Sequence, residues 1–176
     1  MKKRLERVHS PQLGRSLSLW SYGHWGAPLL VFPTAAGFAH EWEAQGMLEA
    51  LAPLVDGGRL KLYCPESNVA EAWTRRDHEA AWRIRRHAAY ERFLVETLVP
   101  KIREDCQSPA IPIAAAGASL GAFYAANIAL KYPETFWAQW LLHWEGQFGL
   151  RGWIHRAAGV VLCLSMVYHG LHLVLV

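Results

Sequence analysis

The run Gly117-Ala118-Ser119-Leu120-Gly121 is the feature that most constrains what this chain can fold into. It has the pattern G-x-S-x-G and follows a short apolar segment, residues 111–116, which is predicted to be a strand. Residues 119–131 are rich in alanine and are predicted to form a helix that ends at Tyr132-Pro133. A serine between a strand and a helix in this pattern is typical of a nucleophile elbow, whose tight turn requires glycine two residues before and after the serine.

The elbow predicts a specific chemistry for Ser119, which is the candidate nucleophile. Its hydroxyl would project above the sheet at the positive end of the following helix. The backbone N–H of Leu120 would point to the place where the oxyanion of a tetrahedral intermediate forms. A second oxyanion donor is expected from a loop after an earlier strand. The run Phe32–Gly37 fits that loop, and it offers the backbone N–H of Thr34 or Ala35.

Strands and helices alternate through the rest of residues 1–136, which indicates an α/β domain with a mostly parallel sheet and flanking helices. Three further strands and two further helices are predicted, at 16–22, 28–32 and 60–64 for the strands and at 46–55 and 77–105 for the helices. The longer helix is expected to bend near Pro100, because proline removes a backbone donor from the helix.

This long helix is expected to bury one stripe and to expose the opposite face. The inner stripe is mainly apolar and consists of Trp82, Phe93, Leu94, Thr97, Leu98 and Ile102. The outer face is charged and consists of Arg83, Arg85, Arg86, Glu91, Arg92 and Glu96. Asp77, His78 and His87 also lie on this helix, and a solvated position explains them better than an acid or base role in catalysis.

Several segments resemble an esterase family related to esterase D and S-formylglutathione hydrolase, within the α/β-hydrolase superfamily. The similar segments are Phe32–Gly37, Glu41–Glu43, Gly46-Met47, Arg85–His87, Tyr90-Glu91 and Gly117–Pro133. The resemblance covers roughly residues 10–136. It implies hydrolysis of a carboxylic ester or thioester in a small-molecule substrate, with Ser119 as the nucleophile and without a cofactor.

The sequence departs from that superfamily after Phe136. In α/β-hydrolases the triad acid and then the histidine follow the serine along the chain, but only 57 residues follow Ser119. Glu145 and His155 stand in the right order, yet they lie in a different kind of sequence. We therefore expect an incomplete α/β-hydrolase sheet and an impaired serine esterase, because a serine hydroxyl without a base is a weak nucleophile.

Residues 137–176 differ in character from residues 1–136. Four of the nine tryptophans lie within residues 137–153, and residues 157–176 contain no charged residue. A helix of twenty residues spans about 30 Å, which is the thickness of a bilayer's hydrocarbon core. Tryptophans and arginines beside it are typical of a membrane interface. The sequence thus predicts a single transmembrane helix that anchors a cytoplasmic domain.

Two histidines in this segment carry a second resemblance. His155 and His169 are fourteen residues apart, which on a helix places them within about 40° of each other and about 21 Å apart along the axis. The stretch resembles a transmembrane helix of bacterial di-haem b-type cytochromes. By that resemblance both histidines are candidate haem ligands, with His172 as a substitute for His169. Haem b would bind only with partner transmembrane helices, because each haem needs a second axial ligand.

Two alternatives to the esterase stay open from the sequence. The chain could be a membrane-anchored fragment of a b-type cytochrome electron-transfer subunit, or a non-functional fusion of the two pieces. The net charge of +3 comes from basic residues mixed with acidic ones, so no nucleic-acid partner is expected. Cys64, Cys106 and Cys163 lie far apart and predict neither a zinc site nor a disulfide framework.

Overall fold

The computed structural model describes residues 1–136 of the chain. The tryptophan-rich approach and the hydrophobic helix predicted at residues 137–176 lie outside the described residues. The same holds for the candidate haem ligands His155 and His169. Within residues 1–136, no helix is both long enough and apolar enough to cross a membrane.

A five-stranded sheet forms the centre of the described region. Its strands are β1 (Lys3–Ser10), β2 (Arg15–Tyr22), β3 (Ala27–Phe32), β4 (Leu60–Pro65) and β5 (Ala114–Gly117). They lie in the order β1-β2-β4-β3-β5. Strand β3 pairs in parallel with β4 and β5, whereas β2 pairs antiparallel with β1 and β4. The sheet is therefore mixed, and the prediction of a mostly parallel sheet is wrong for half of its strand pairings.

Part of the difference between the predicted and the observed sheet comes from strand β1, which pairs antiparallel with β2 and is not among the predicted strands. It is an edge strand in which only Val8 and Ser10 are buried. Its other positions carry mainly Lys, Arg and Glu, which protect an edge strand from pairing with other chains. A strand with so few apolar residues lacks the clear alternation by which β2 was predicted.

Helices cover both faces of the sheet, which confirms the predicted α/β class. The helices are α1 (Glu41–Ala44), α2 (Met47–Asp56), α3 (Ala80–Phe93), α4 (Val99–Asp105) and α5 (Leu120–Lys131). Leu30 and Phe32 of β3 point into the core shared with α3, α4 and α5. The intervening Val31 points to the opposite core, where it meets Leu48 and Val55 of α2. Successive strand residues alternate between the two faces, as a pleated strand requires.

The long helix predicted at residues 77–105 is present, but it begins at Ala80 and contains a π-helical turn at Leu94–Leu98 between α3 and α4. Pro100 lies at the start of α4, directly after this turn. A π-helical turn contains one residue more than an α-helical turn, and such turns are a recognised cause of kinks in helices. The predicted bend near Pro100 therefore coincides with a change in helix type.

Three side chains of the long helix lie where the sequence analysis did not expect them. Glu91 is only 13% exposed and accepts hydrogen bonds from Asn127 and Lys131 of α5. Arg86 is 22% exposed and pairs with Glu71. Trp82 is half-buried outside the core, where it stacks on its neighbour His78 at 3.9 Å between ring centroids. Helical periodicity predicts which residues lie on the same face of the helix. It does not show which other segments of the chain pack against that face.

The last described residues lie beside β5. The N–H of Ile113 donates to the carbonyl of Thr135 at 3.0 Å, and Ile113 forms a parallel bridge with Phe136. The predicted strand 111–116 is thus shorter at its beginning than expected, since β5 starts at Ala114. Pro112 explains this difference, because proline has no N–H to donate to a neighbouring strand.

Candidate active site

Ser119 occupies a strained backbone conformation between β5 and α5. Its φ is 54° and its ψ is −121°. Within residues 1–136, only Ser119 and Gln107 have positive φ without being glycine. A residue with a β-carbon in such a conformation costs on the order of 1–3 kcal/mol, and such residues concentrate at functional sites. The turn thus has the geometry that the motif predicted, and its serine side chain is exposed.

The two glycines of the motif are required by close backbone packing. A β-carbon on Gly117 would lie under 3.0 Å from backbone atoms of Gly121 and Ala122. A β-carbon on Gly121 would lie under 3.0 Å from the carbonyl oxygens of Phe32 and Pro33. Both approaches are closer than real β-carbons tolerate, so neither position accepts a side chain. The second contact also shows that the end of β3 lies directly against the elbow.

The N-terminus of α5 begins directly after Ser119. The N–H of Gly121 donates to the carbonyl of Ala118 at 2.9 Å, and that of Ala122 donates to the carbonyl of Ser119 at 3.0 Å. Within residues 1–136, the N–H of Leu120 has no such acceptor. The first N–H groups of a helix are free to bind an anion at the positive end of its dipole. The N–H of Leu120 is therefore free to donate to a bound anion, and its role as an oxyanion donor stays a prediction.

The two residues predicted as the second donor differ in the hydrogen bonds of their backbone N–H groups. The N–H of Thr34 donates to both carboxylate oxygens of Glu41, at 3.2 and 3.1 Å. The next amides are also engaged, since Ala36 donates to the Thr34 hydroxyl at 3.4 Å and Gly37 to the Thr34 carbonyl at 3.1 Å. Among the described residues, the N–H of Ala35 has no acceptor, which favours Ala35 over Thr34. The role of Glu41 could not be predicted from the sequence. Glu41 and Thr34 are seven positions apart across a loop, and such a contact leaves no periodic pattern.

Within residues 1–136, no acid or base forms a hydrogen bond with the hydroxyl of Ser119. Glu145 and His155 lie outside the described residues. Asp77 is 61% exposed and pairs with Arg75 at 3.2 Å. These positions agree with the interpretation of Asp77 as a solvated residue rather than a triad acid.

His87 does not face solvent as predicted. It is half-buried and packs against the rings of Trp73, Phe123 and Tyr124, at 5.8, 6.1 and 5.2 Å between ring centroids. Its Nδ1 is buried without a hydrogen-bond partner among the described residues. Burial lowers the pKa of His87, an effect that Glu91 opposes. The imidazole is therefore in its neutral form at neutral pH.

A network of ion pairs fixes the segment that follows β4, a π-helical turn at Ala70–Thr74. Glu71 of this turn accepts a hydrogen bond from Arg15 at 2.9 Å and also pairs with Arg86. Arg15 in turn pairs with Glu66 at 2.7 Å. These side chains are between 18 and 33% exposed, so solvent screens them less than it screens surface pairs. This network leaves no pattern in the sequence, since its members come from four separate segments.

Within the described residues, no group of three or more His, Cys, Asp or Glu side chains could hold a metal ion. Arrangements of the elbow type do their chemistry with a serine hydroxyl and backbone N–H groups.

Comparison with known proteins supports the esterase resemblance. The family model described as "Putative esterase" matches residues 63–139, which is less than half of the chain. The match includes the end of β4, the long helix, β5 and the elbow, and it begins after the loop that carries Thr34 and Ala35. No curated protein matches the sequence.

Solved structures share the fold at low sequence identity. MPT51 from Mycobacterium tuberculosis is 18% identical, with a TM-score of 0.56 over 77% of this chain and 48% of that one. An S-formylglutathione hydrolase from Agrobacterium tumefaciens is 20% identical, with a TM-score of 0.56 over 76% of this chain and 55% of that one. An enterochelin esterase from Shigella flexneri is 16% identical, with a TM-score of 0.54 over 77% of this chain and 34% of that one.

The matched region thus spans about half or less of the length of these proteins. At such identities the likeness shows the fold alone. The family match supports the resemblance of residues 63–139 to esterases, and the solved structures support the fold. They give no support to the resemblance of residues 137–176 to a b-type cytochrome.

Proposed function

We propose that this chain is a serine hydrolase of carboxylic esters or thioesters, with Ser119 as its nucleophile. The observation that carries the proposal is the strained conformation of Ser119 at a strand–helix turn, next to the unoccupied N–H of Leu120. Strain of this kind is retained where the surrounding structure enforces it and where function uses it. The match of the esterase family model to the same segment supports the assignment.

The proposed reaction follows from the groups at the elbow. The Ser119 oxygen attacks the carbonyl carbon of the ester, and the carbonyl oxygen becomes an oxyanion held by the N–H groups of Leu120 and Ala35. Collapse of this intermediate releases the alcohol or thiol and leaves an acyl group on Ser119. Water then attacks the acyl group, releases the carboxylic acid and restores the serine.

A base must accept the Ser119 proton in the first step, and residues 1–136 bring no histidine within hydrogen-bonding distance of its hydroxyl. A serine hydroxyl without a base is a weak nucleophile. We therefore propose that the activity of this part of the chain is low, and that the substrate is a small, activated ester.

The decisive comparison uses the purified full chain and the Ser119→Ala variant with 4-nitrophenyl acetate, followed by release of 4-nitrophenol. Ser108→Ala is the matched control, because this serine lies in the loop after α4 and its side chain forms no hydrogen bond among the described residues. We expect Ser119→Ala to fall to the rate without protein and Ser108→Ala to keep the full rate. Equal rates for the wild type and Ser119→Ala would overturn the proposal.

Membrane anchoring by residues 157–176, haem binding through His155 and His169, and a division of the chain near residue 136 stay predictions from the sequence. A fusion without function and a cytochrome fragment stay alternatives to the esterase for the same reason. A b-type haem absorbance in detergent extracts that disappears in His169→Ala would support the cytochrome alternative, and extracts without bound haem would leave only an anchor.

A further inference from the structure

We infer that Trp73, His87 and Phe123, together called the aromatic corner, bind an uncharged aromatic or apolar group of the ester substrate. This inference rests on the proposed function, since it names the class of substrate that Ser119 would meet. It goes further in assigning specificity to three side chains that belong to no catalytic motif.

The aromatic corner lies at the same edge of the sheet as Ser119. Strands β3, β4 and β5 are parallel, so their carboxyl ends meet at one edge. Trp73 belongs to the turn that follows β4, and Phe123 belongs to the first turn of α5, which follows β5. The N–H of Phe123 donates to the carbonyl of Ser119 at 3.4 Å. Phe123 therefore lies one helical turn after Ser119.

The corner is a contiguous apolar surface rather than a set of isolated exposed residues. Trp73 is 40% exposed and Phe123 is 47% exposed. Their rings meet edge to face, with centroids 5.5 Å apart and planes at 82°, and His87 packs against both. A single exposed apolar side chain is common on protein surfaces, whereas a contiguous group marks a binding site more often.

Hydrogen bonds hold Trp73 in place before any ligand arrives. The indole Nε1 donates to the Tyr124 hydroxyl at 2.9 Å, and this hydroxyl donates to Oδ1 of Asn68 at 3.2 Å. The Asn68 Nδ2 donates to the carbonyl of Arg86 at 2.7 Å. Tyr124 and Asn68 are both buried, at 3 and 1% exposure. The Trp73 ring is therefore already ordered in the free protein, so binding a ligand requires little further loss of side-chain entropy.

The corner carries no charged group that could pair with a charged ligand. The only donor of the Trp73 side chain is used by Tyr124. His87 carries no charge at neutral pH, because burial lowers its pKa, and its buried Nδ1 faces away from solvent. Phe123 has no polar atom. An uncharged phenyl or apolar acyl group matches this chemistry, whereas a carboxylate or an ammonium group would lose its hydration without gaining a partner.

The test compares two pairs of esters that differ only in one aromatic group. Vinyl benzoate and vinyl acetate differ in the acyl group, and phenyl acetate and vinyl acetate differ in the alcohol. Each rate is divided by the rate of alkaline hydrolysis of the same ester. In the wild type, we expect kcat/KM for at least one aromatic ester to exceed that for vinyl acetate by about 10- to 200-fold, the range that one apolar pocket supplies. Phe123→Ala should lose most of this ratio.

Leu130→Ala is the matched control, because Leu130 is a 62% exposed apolar residue two turns further along α5. We expect it to keep the wild-type ratio. Phe123→Leu, which keeps much of the apolar volume, should give an intermediate ratio. Ser119-dependent hydrolysis with the same ratio in the wild type and in Phe123→Ala would overturn the aromatic corner and leave the proposed function in place.

A binding measurement keeps the inference testable without turnover. Saturation-transfer NMR with phenylacetamide and with acetamide detects contact of the phenyl ring with the full chain. We expect transfer to phenylacetamide that is lost in Phe123→Ala and kept in Leu130→Ala. If no Ser119-dependent hydrolysis occurs, the proposed function fails. In that case an equal signal in Phe123→Ala and in the wild type, or no signal in either, would overturn the corner as well.

Discussion

The backbone N–H of Thr34 donates to the carboxylate of Glu41, at 3.1 Å to the nearer oxygen. This contact closes the loop between β3 and α1 beside the elbow, where Gly121 touches the carbonyls of Phe32 and Pro33. It has two consequences. Thr34 is not free to hold an oxyanion, and Ala35 is presented at the exposed side of the loop.

Replacing Glu41 should therefore destabilise the loop. Glu41→Ala leaves the half-buried N–H of Thr34 without its acceptor, which costs about 1–3 kcal/mol. Glu41→Gln keeps an acceptor oxygen and should lose less. Urea denaturation followed by circular dichroism measures the free energy of unfolding. Glu49→Ala is the control, because Glu49 is an exposed residue of α2, and it should change nothing. An unchanged free energy of unfolding in Glu41→Ala would contradict the importance of this contact.

The steric requirement at the elbow predicts the sign of Gly121→Ala. Alanine is more favourable than glycine by about 1 kcal/mol inside a helix, and Gly121 belongs to α5. The added β-carbon would, however, meet the carbonyls of Phe32 and Pro33 at under 3.0 Å. Such overpacking costs about 1–3 kcal/mol or more, so we expect a net loss of stability. Guanidinium denaturation decides the sign, with Ala122→Ser as an exposed neighbour for control. A stabilised Gly121→Ala protein would show that the elbow is looser than described.

The lowered pKa of Asp105, at the end of α4, predicts that the protein loses stability in acid. Burial raises its pKa, but hydrogen bonds from Lys61, Tyr63 and Arg4 lower it by more, to about 2. Because the folded-state pKa lies below the ordinary value of 3.8, the carboxylate contributes its full stability above about pH 4. That contribution is lost as the pH falls toward 2.

Asp105→Asn measures this contribution directly. We expect the variant to be less stable by about 1–2 kcal/mol at pH 7, after allowance for solvent screening of a partly exposed group. Its free energy of unfolding should also depend less on pH between 4 and 2. Glu104→Gln, an exposed neighbour, should keep the wild-type dependence. Parallel pH curves for Asp105→Asn and the wild type would show that Asp105 is not responsible.

The parts of the structure that follow from local sequence rules were predictable. The elbow is one such part, since two glycines and a serine specify one tight turn between a strand and a helix. Strands β3 and β4 are another, because short apolar runs bounded by turn residues have few alternatives. In both cases the residues that determine the conformation are neighbours in the sequence.

The parts that depend on distant partners were not predictable in this way. Glu91 and Arg86 carry charges that favour an exposed face, and only the positions of Lys131 and Glu71 in the folded chain show why they are partly buried. His87 was expected in solvent, since no periodic pattern reveals the rings of Trp73 and Phe123 beside it. The choice between Thr34 and Ala35 likewise depended on Glu41, whose carboxylate reaches back across a loop.

Covalent labelling of the full chain with an excess of an alkyl fluorophosphonate, over a long incubation that allows a weak nucleophile to react, tests directly whether Ser119 is the nucleophile. Intact mass spectrometry counts the adducts, and sequencing of the labelled peptide locates them. If Ser119 is the nucleophile, we expect one adduct, on Ser119, that is absent in Ser119→Ala and present in Ser108→Ala. An adduct on another residue, equal labelling of Ser119→Ala, or no labelling of the wild type would contradict Ser119 as the nucleophile.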